Sequence, residues 1–132
     1  MLLAGDHLMN GSTVVIIPPQ GDMRAYIQSL NDLLTYDIRS IAPGHGELME
    51  NPVELIEHTI THRLRREKKV LDSLQKLSEA SLSTLVVSVY DDVDKGLHRI
   101  AESSLWAHLI KLEEDGVVAS RDQRGQLVWR VL

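Results

Sequence analysis

A chain of 132 residues without cysteine forms no disulfide and has no thiolate chemistry. Hydrophobic residues make up 43% and charged residues 25%, an ordinary balance for a soluble globular chain of one domain or two small ones. The net charge of −5 falls on residues 1–64, with three basic and eight acidic side chains. Residues 65–132 carry eleven of each sign, so neither half has the basic surface expected of a duplex-DNA binder.

No apolar run approaches the roughly 18 residues of a membrane span. Met1–Gly5 is too short and lacks the basic start of a signal peptide, and the absence of cysteine fits a reducing, cytoplasmic setting. Leu2-Leu3-Ala4 reads as a strand end feeding Asp6, where a scaffold can fix a carboxylate while a loop exposes it. By itself Asp6 also suits an Asx-turn. Ser12 to Ile17 is apolar or β-branched at nearly every position, which predicts a strand buried on both faces and ended by Pro18-Pro19-Gln20-Gly21. Asp22 is placed to cap a helix over Met23–Leu34, with Ile27, Leu30, Leu33 and Leu34 on one packing face and Tyr26 beside them. Arg39–Ala42 is the next expected strand. It breaks into Pro43-Gly44-His45-Gly46, where two glycines leave one imidazole unscreened. Such a His suits a metal ligand, or is incidental to a turn.

Asn51-Pro52-Val53-Glu54 is a strong helix start, with a capping residue, Pro at the first helical position and Glu three beyond the cap. The helix is expected to run from 52 to about 77. His58 and His62 stand four apart on it, but Thr59 occupies the place where an HExxH zinc motif needs Glu. A second helix is expected over Ser81–Tyr90, a loop over 91–96, and a third helix over Leu97–Glu114 with Leu97, Ile100, Ala101, Leu105, Leu109 and Leu112 on one stripe. Gly116 stops it. Val117–Ser120 and Leu127–Arg130 read as strands joined by the turn Asp122-Gln123-Arg124-Gly125. Three helices and a hairpin make a winged helix. In DNA-binding versions the third helix enters the major groove, but here its acidic residues outnumber Arg99 and Lys111. Arg121 and Arg124 at the wing tip are the only suggestive cations for nucleic acid, and a pair of arginines is more often a solvated turn.

Residues 5–17, Gly-Asp-His-Leu-Met-Asn-Gly-Ser-Thr-Val-Val-Ile-Ile, are followed by the Pro-Pro-Gln-Gly-Asp loop, a helix and Ile-Ala-Pro-Gly-His-Gly at 41–46. Together these resemble the C-terminal half of a metallo-β-lactamase-fold hydrolase. The resemblance is to the lactamase-beta-like, glyoxalase-II-like branch, which includes an endoribonuclease. It continues through Ile60-Thr61-His62-Arg63-Leu64-Arg65-Arg66-Glu67 into a tail similar to that branch's winged-helix domain, and covers essentially the whole chain. It implies an α+β architecture: the C-terminal portion of an αββα metallo-β-lactamase sandwich over residues 1–65, then a winged helix over 66–132.

The resemblance further implies that Asp6 is the carboxylate bridging two metal ions and that His45 is the last His ligand of the second metal, with zinc as the expected ion. His62, with Arg63, matches the family motif and is a candidate for the surroundings of the site or the domain junction. The family's His-x-His-x-Asp-His motif, and the His between it and the bridging Asp, are absent and would lie upstream of Met1. Two ligands do not complete a catalytic zinc site, which takes three from protein. The resemblance therefore implies part of a hydrolase of ester, thioester or phosphodiester bonds, with negligible activity alone. Its expected partners are the N-terminal half or a second copy of the chain. Alternatively the winged helix is a binding or assembly module, for dimerisation or contact with single-stranded RNA. An exposed apolar strand at 13–17 would pair with another chain, which predicts a homo-oligomer.

Overall fold

The first strand, β1 (Leu2–Gly5), lies parallel to β2 (Ile41–Pro43). Parallel strands cannot be joined by a tight hairpin, and the crossover between these two contains α1 (Met23–Leu33). The computed structural model describes residues 1–5, 7, 16–18, 21–44 and 47–132. The chain divides into two compact units, residues 1–14 with 24–64 and residues 15–23 with 65–132.

In the first unit, Tyr26, Ile27 and Leu30 form the buried face of α1, as their three- and four-residue spacing requires. Ile41 is fully buried and exchanges both backbone hydrogen bonds with Met49, at 2.7 and 2.8 Å. The loop between them is thereby closed at its base. The long helix α2 (Pro52–Leu77) begins at the expected proline, and the Asn51 carbonyl accepts from the Leu55 amide at 3.0 Å. The unit division falls within α2.

The second unit is a winged helix. The part of α2 beyond residue 64, α3 (Leu82–Val89) and α4 (His98–Glu114) pack with a three-stranded antiparallel sheet of order β3-β5-β4, comprising β3 (Ala80–Ser81), β4 (Val118–Gln123) and β5 (Gln126–Val131). Val70 and Leu74 of α2, Leu85 and Val89 of α3, Leu105 and Leu109 of α4, and Trp129 of β5 are the centre of its core. A one-turn 3-10 helix, Lys95–Leu97, leads into α4 and occupies part of the expected 91–96 loop.

Four expectations need correction. The strand expected over Ser12–Ile17 is not formed at Ile16–Ile17; residues 12–15 lie outside the described set. Ile16 instead donates its amide to the Ser104 hydroxyl at 3.3 Å, and the Gly21 amide closes a turn onto the Ile17 carbonyl at 2.7 Å. A Cβ on Gly21 would come within 2.8 Å of the Ile17 nitrogen, so this turn requires glycine. The second helix starts at Leu82, because Ser81 is its cap and accepts from the Thr84 amide at 3.4 Å. The β4 and β5 strands extend further into polar sequence than expected, because ladder pairing continues to Gln123↔Gln126. That leaves a two-residue turn, Arg124-Gly125, with φ of 55° and 84°.

Two successive left-handed residues match a type I′ turn, for which Asn-Gly is the favoured sequence. A side chain as long as Arg gains nothing there that offsets the left-handed backbone. Arg124→Asn is expected to stabilise the winged helix by about 0.5–1 kcal/mol. The check is the urea midpoint; an unchanged or lower midpoint would contradict the turn assignment.

Candidate functional site

Because β1 and β2 are parallel, their carboxyl ends lie at the same edge of the pair, with Gly5 opposite Pro43. Chain that follows the carboxyl ends of adjacent parallel strands leaves the pair at one edge, where sites in such sheets commonly lie. Asp6 is the next residue after Gly5, and His45 is two residues after Pro43. Both expected ligands lie outside the described residues. Among the described residues, no group of three or more His, Asp, Glu or Cys side chains could hold a metal. Carboxylate and imidazole donors are chemically suited to a divalent metal, but two donors are one short of a catalytic protein set.

His7 follows Asp6 and is held by α1. Its Nε2 lies 2.9 Å from the Ser29 hydroxyl, its carbonyl accepts from the Tyr26 hydroxyl at 2.7 Å, and its ring packs against Tyr26 with centroids 4.8 Å apart. Burial holds the His7 imidazole below its usual range. The Arg63 guanidinium lies 5.2 Å from the Tyr26 ring centroid, a cation–π contact. Burial raises the Tyr26 hydroxyl above its usual range, with the Arg63 charge opposing.

The His62–Glu67 motif divides by side chain. His62 is half-buried and Arg63 is buried, both in the first unit. In the second unit, Arg66 is buried against the Tyr90 ring at 4.4 Å. It donates to the Val89 carbonyl at 2.7 Å and holds the Asp92 carboxylate through both guanidinium nitrogens, at 2.7 and 3.2 Å. Glu67 faces Lys111 at 3.0 Å and His108 at 3.7 Å. His58 is exposed and lines an open cavity of about 450 Å³ with Leu48, Met49, Glu50, Asn51, Glu54 and Leu55, on the sequence that follows the His45 loop.

The wing cations have defined surroundings. Arg121 is held by Glu79 through two hydrogen bonds, one of 2.8 Å, which keeps that carboxyl below its usual range; Arg124 sits in the turn. On α4, Lys111 is ion-paired with Glu67 and Asp115, and Ser104, Ala107 and His108 are buried. Ala107, Ile110 and Glu114 face Pro18, Gly21, Asp22 and Met23 across a cavity of about 220 Å³. Among the described residues, no helix is long and apolar enough to cross a membrane. Sequence reasoning did not single out His7 or Ser29. The available signal was Tyr26 and Ser29 three apart on α1, a polar pair beside an apolar stripe.

Residues 81–126 match the family model of the beta-lactamase associated winged helix domain. The chain is 32% identical over 117 residues to a beta-lactamase-like protein 2 homolog of Drosophila melanogaster, covering 87% of this chain and 39% of that protein. It is 28% identical over 131 residues to an atrochrysone carboxyl ACP thioesterase of Emericella nidulans, covering 97% and 41%. Two solved structures share the fold: a metallo-beta-lactamase family protein of Thermus thermophilus (TM-score 0.79, 21% identity, 97% of this chain and 41% of that one) and a beta-lactamase domain protein of Burkholderia ambifaria (TM-score 0.82, 19% identity, 98% and 41%). The chain thus has a mixed helix-and-sheet fold of the metallo-β-lactamase type. More particularly, it is the C-terminal portion of that fold with its winged helix, and it spans about 40% of the length of these relatives.

Proposed function

We propose that this chain supplies Asp6 as a bridging carboxylate and His45 as an imidazole ligand to the two-metal site of a hydrolase. The bond class is ester or thioester, and the remaining ligands come from polypeptide outside residues 1–132 or from a second copy. The observation that carries the proposal is the parallel register of β1 and β2, whose carboxyl ends lead to Asp6 and His45. The thioesterase names among the relatives favour an acyl thioester as the substrate class. Bound metal, with zinc the expected ion, would polarise the scissile carbonyl and acidify water. In this reading the chain's own contribution is two ligands that follow the carboxyl ends of β1 and β2, with Ile41 and Met49 paired across the base of the segment that contains His45. A cytoplasmic setting belongs to the same proposal.

The test is metal content of the purified, tag-free chain, compared with Asp6→Ala and His45→Ala. Zinc bound by wild type and lost in both variants supports the assignment, and one ion per two chains would identify a second copy as the completing partner. Zinc retained in both variants would remove Asp6 and His45 from the site. The isolated chain is expected to hydrolyse acyl thioesters no faster than buffer, and mixing with the N-terminal portion of a relative is expected to raise the rate.

A further inference from the structure

The residue that follows Asp6 is tied down through its backbone and its ring. The His7 amide donates to the Ala4 carbonyl at 3.0 Å, the His7 carbonyl accepts from the Tyr26 hydroxyl at 2.7 Å, and the His7 ring nitrogen Nε2 meets the Ser29 hydroxyl at 2.9 Å. Ser29 also donates to the Tyr26 carbonyl at 2.7 Å. A hydroxyl has one proton to give, so in the His7–Ser29 contact Nε2 is the donor. Tyr26 is itself buried, lies against the His7 ring and has the buried Arg63 over it. On the other side of Asp6, β1 is paired with β2 through Gly5↔Pro43. The residues flanking Asp6 are therefore anchored to two different elements: β2 before it and α1 after it.

We propose that Tyr26 and Ser29, backed by Arg63, are positioning residues for Asp6, fixing the chain beyond it as β1 fixes the chain before it. This rests on Asp6 being a ligand. A carboxylate held at both ends loses less conformational freedom on ligation than one on a free loop, and a ligand must be held to within about 0.5 Å to be productive. Tyr26 and Ser29 do this through His7.

Amide hydrogen exchange on the 132-residue chain, read residue by residue, separates a local clamp from general stabilisation. Losing one such hydrogen bond is expected to speed local opening roughly 3- to 10-fold. Tyr26→Phe and Ser29→Ala are therefore expected to accelerate exchange at the His7 amide by that factor and leave Leu30 and Ile41 unchanged. Ser29→Thr, which keeps the hydroxyl, is expected to behave as wild type. No acceleration at His7, or equal acceleration at all three amides, would overturn the clamp. Zinc affinity by calorimetry tests the link to Asp6: it is expected to fall by a similar factor in Ser29→Ala and to recover in Ser29→Thr. Faster exchange at His7 with unaltered zinc affinity would overturn the positioning role. Zinc affinity undiminished in Asp6→Ala would instead overturn the ligand assignment, with exchange still deciding the clamp; where wild type binds zinc only with the N-terminal portion of a relative added, the same comparison is made on that mixture.

Discussion

Leu105→Ala is expected to destabilise the winged helix by about 3–5 kcal/mol and to lower its melting temperature by roughly 15 °C or more. Leu105 is completely buried in α4, at the centre of a cluster drawn from α2, α3, α4 and β5. Its removal leaves a cavity that Leu74, Leu85 and Trp129, themselves almost fully buried, have little room to fill. A unit of this size has a total stability of only about 5–15 kcal/mol, so the variant is expected to be partly unfolded at 37 °C. The measurement is thermal unfolding by circular dichroism, with residue-level exchange to locate the loss. Protection should fall first at α3, α4 and β5. A melting temperature within 3 °C of wild type would mean that the cluster does not hold this unit together.

Much of the winged helix is legible in the sequence because its elements bury one regular stripe each. The spacing of Leu105, Leu109 and Leu112 locates the buried face of α4, although Leu97 and Ile100, expected on the same stripe, are exposed near its start; Asn51-Pro52 locates the start of α2. Elements set by partners rather than by their own pattern are not legible. Ala80–Ser81 is a strand only because Trp129 and Val128 lie opposite. Gln123 and Gln126 are in strands because the ladder continues past the apolar residues. Ile16–Ile17 has strand composition, yet its amide partner is a serine hydroxyl 88 residues away. Local propensity cannot anticipate such a contact.

The candidate site divides along the same line. Asp6 and His45 were readable as a pair only through the resemblance, since neither motif alone separates a ligand from a turn residue. The parallel pairing of β1 and β2 supplies a physical reason to consider them together. His7, Tyr26 and Ser29 were not readable, because a helix-face serine and an isolated histidine have many uses. Their connection spans about twenty residues of chain. Within the charged run Arg65-Arg66-Glu67, Arg66 is buried and Glu67 nearly so. Each is accommodated by a specific counter-charge, as burial of an ionised group requires.

Glu67 is where that accommodation should be measurable as a pH effect. Its side chain is 12% exposed, that of Lys111 14%, and that of His108 is fully buried. Burial alone pushes the Glu67 carboxyl up; the His108 ring 3.7 Å away and the hydrogen bond and charge of Lys111 outweigh burial and hold it below the usual carboxylate range. A carboxyl with a depressed folded pKa contributes stability that is complete above its unfolded pKa of about 4.3 and is lost as pH falls through the folded value. Glu67→Gln removes the charge while keeping the shape and takes one counter-charge from Lys111, which keeps Asp115 at 3.4 Å. The expected cost at pH 7 is about 2–4 kcal/mol. Because the variant has no carboxyl to protonate at 67, its stability should fall less steeply than wild type below pH 4.5. Urea unfolding from pH 3 to 7 measures both effects, and parallel wild-type and variant curves would exclude a depressed Glu67 pKa. Replacing Glu67 and Lys111 together with leucine is expected to recover much of the loss, since the single variant's penalty comes mainly from leaving a buried cation short of one counter-charge and not from the pair's net contribution.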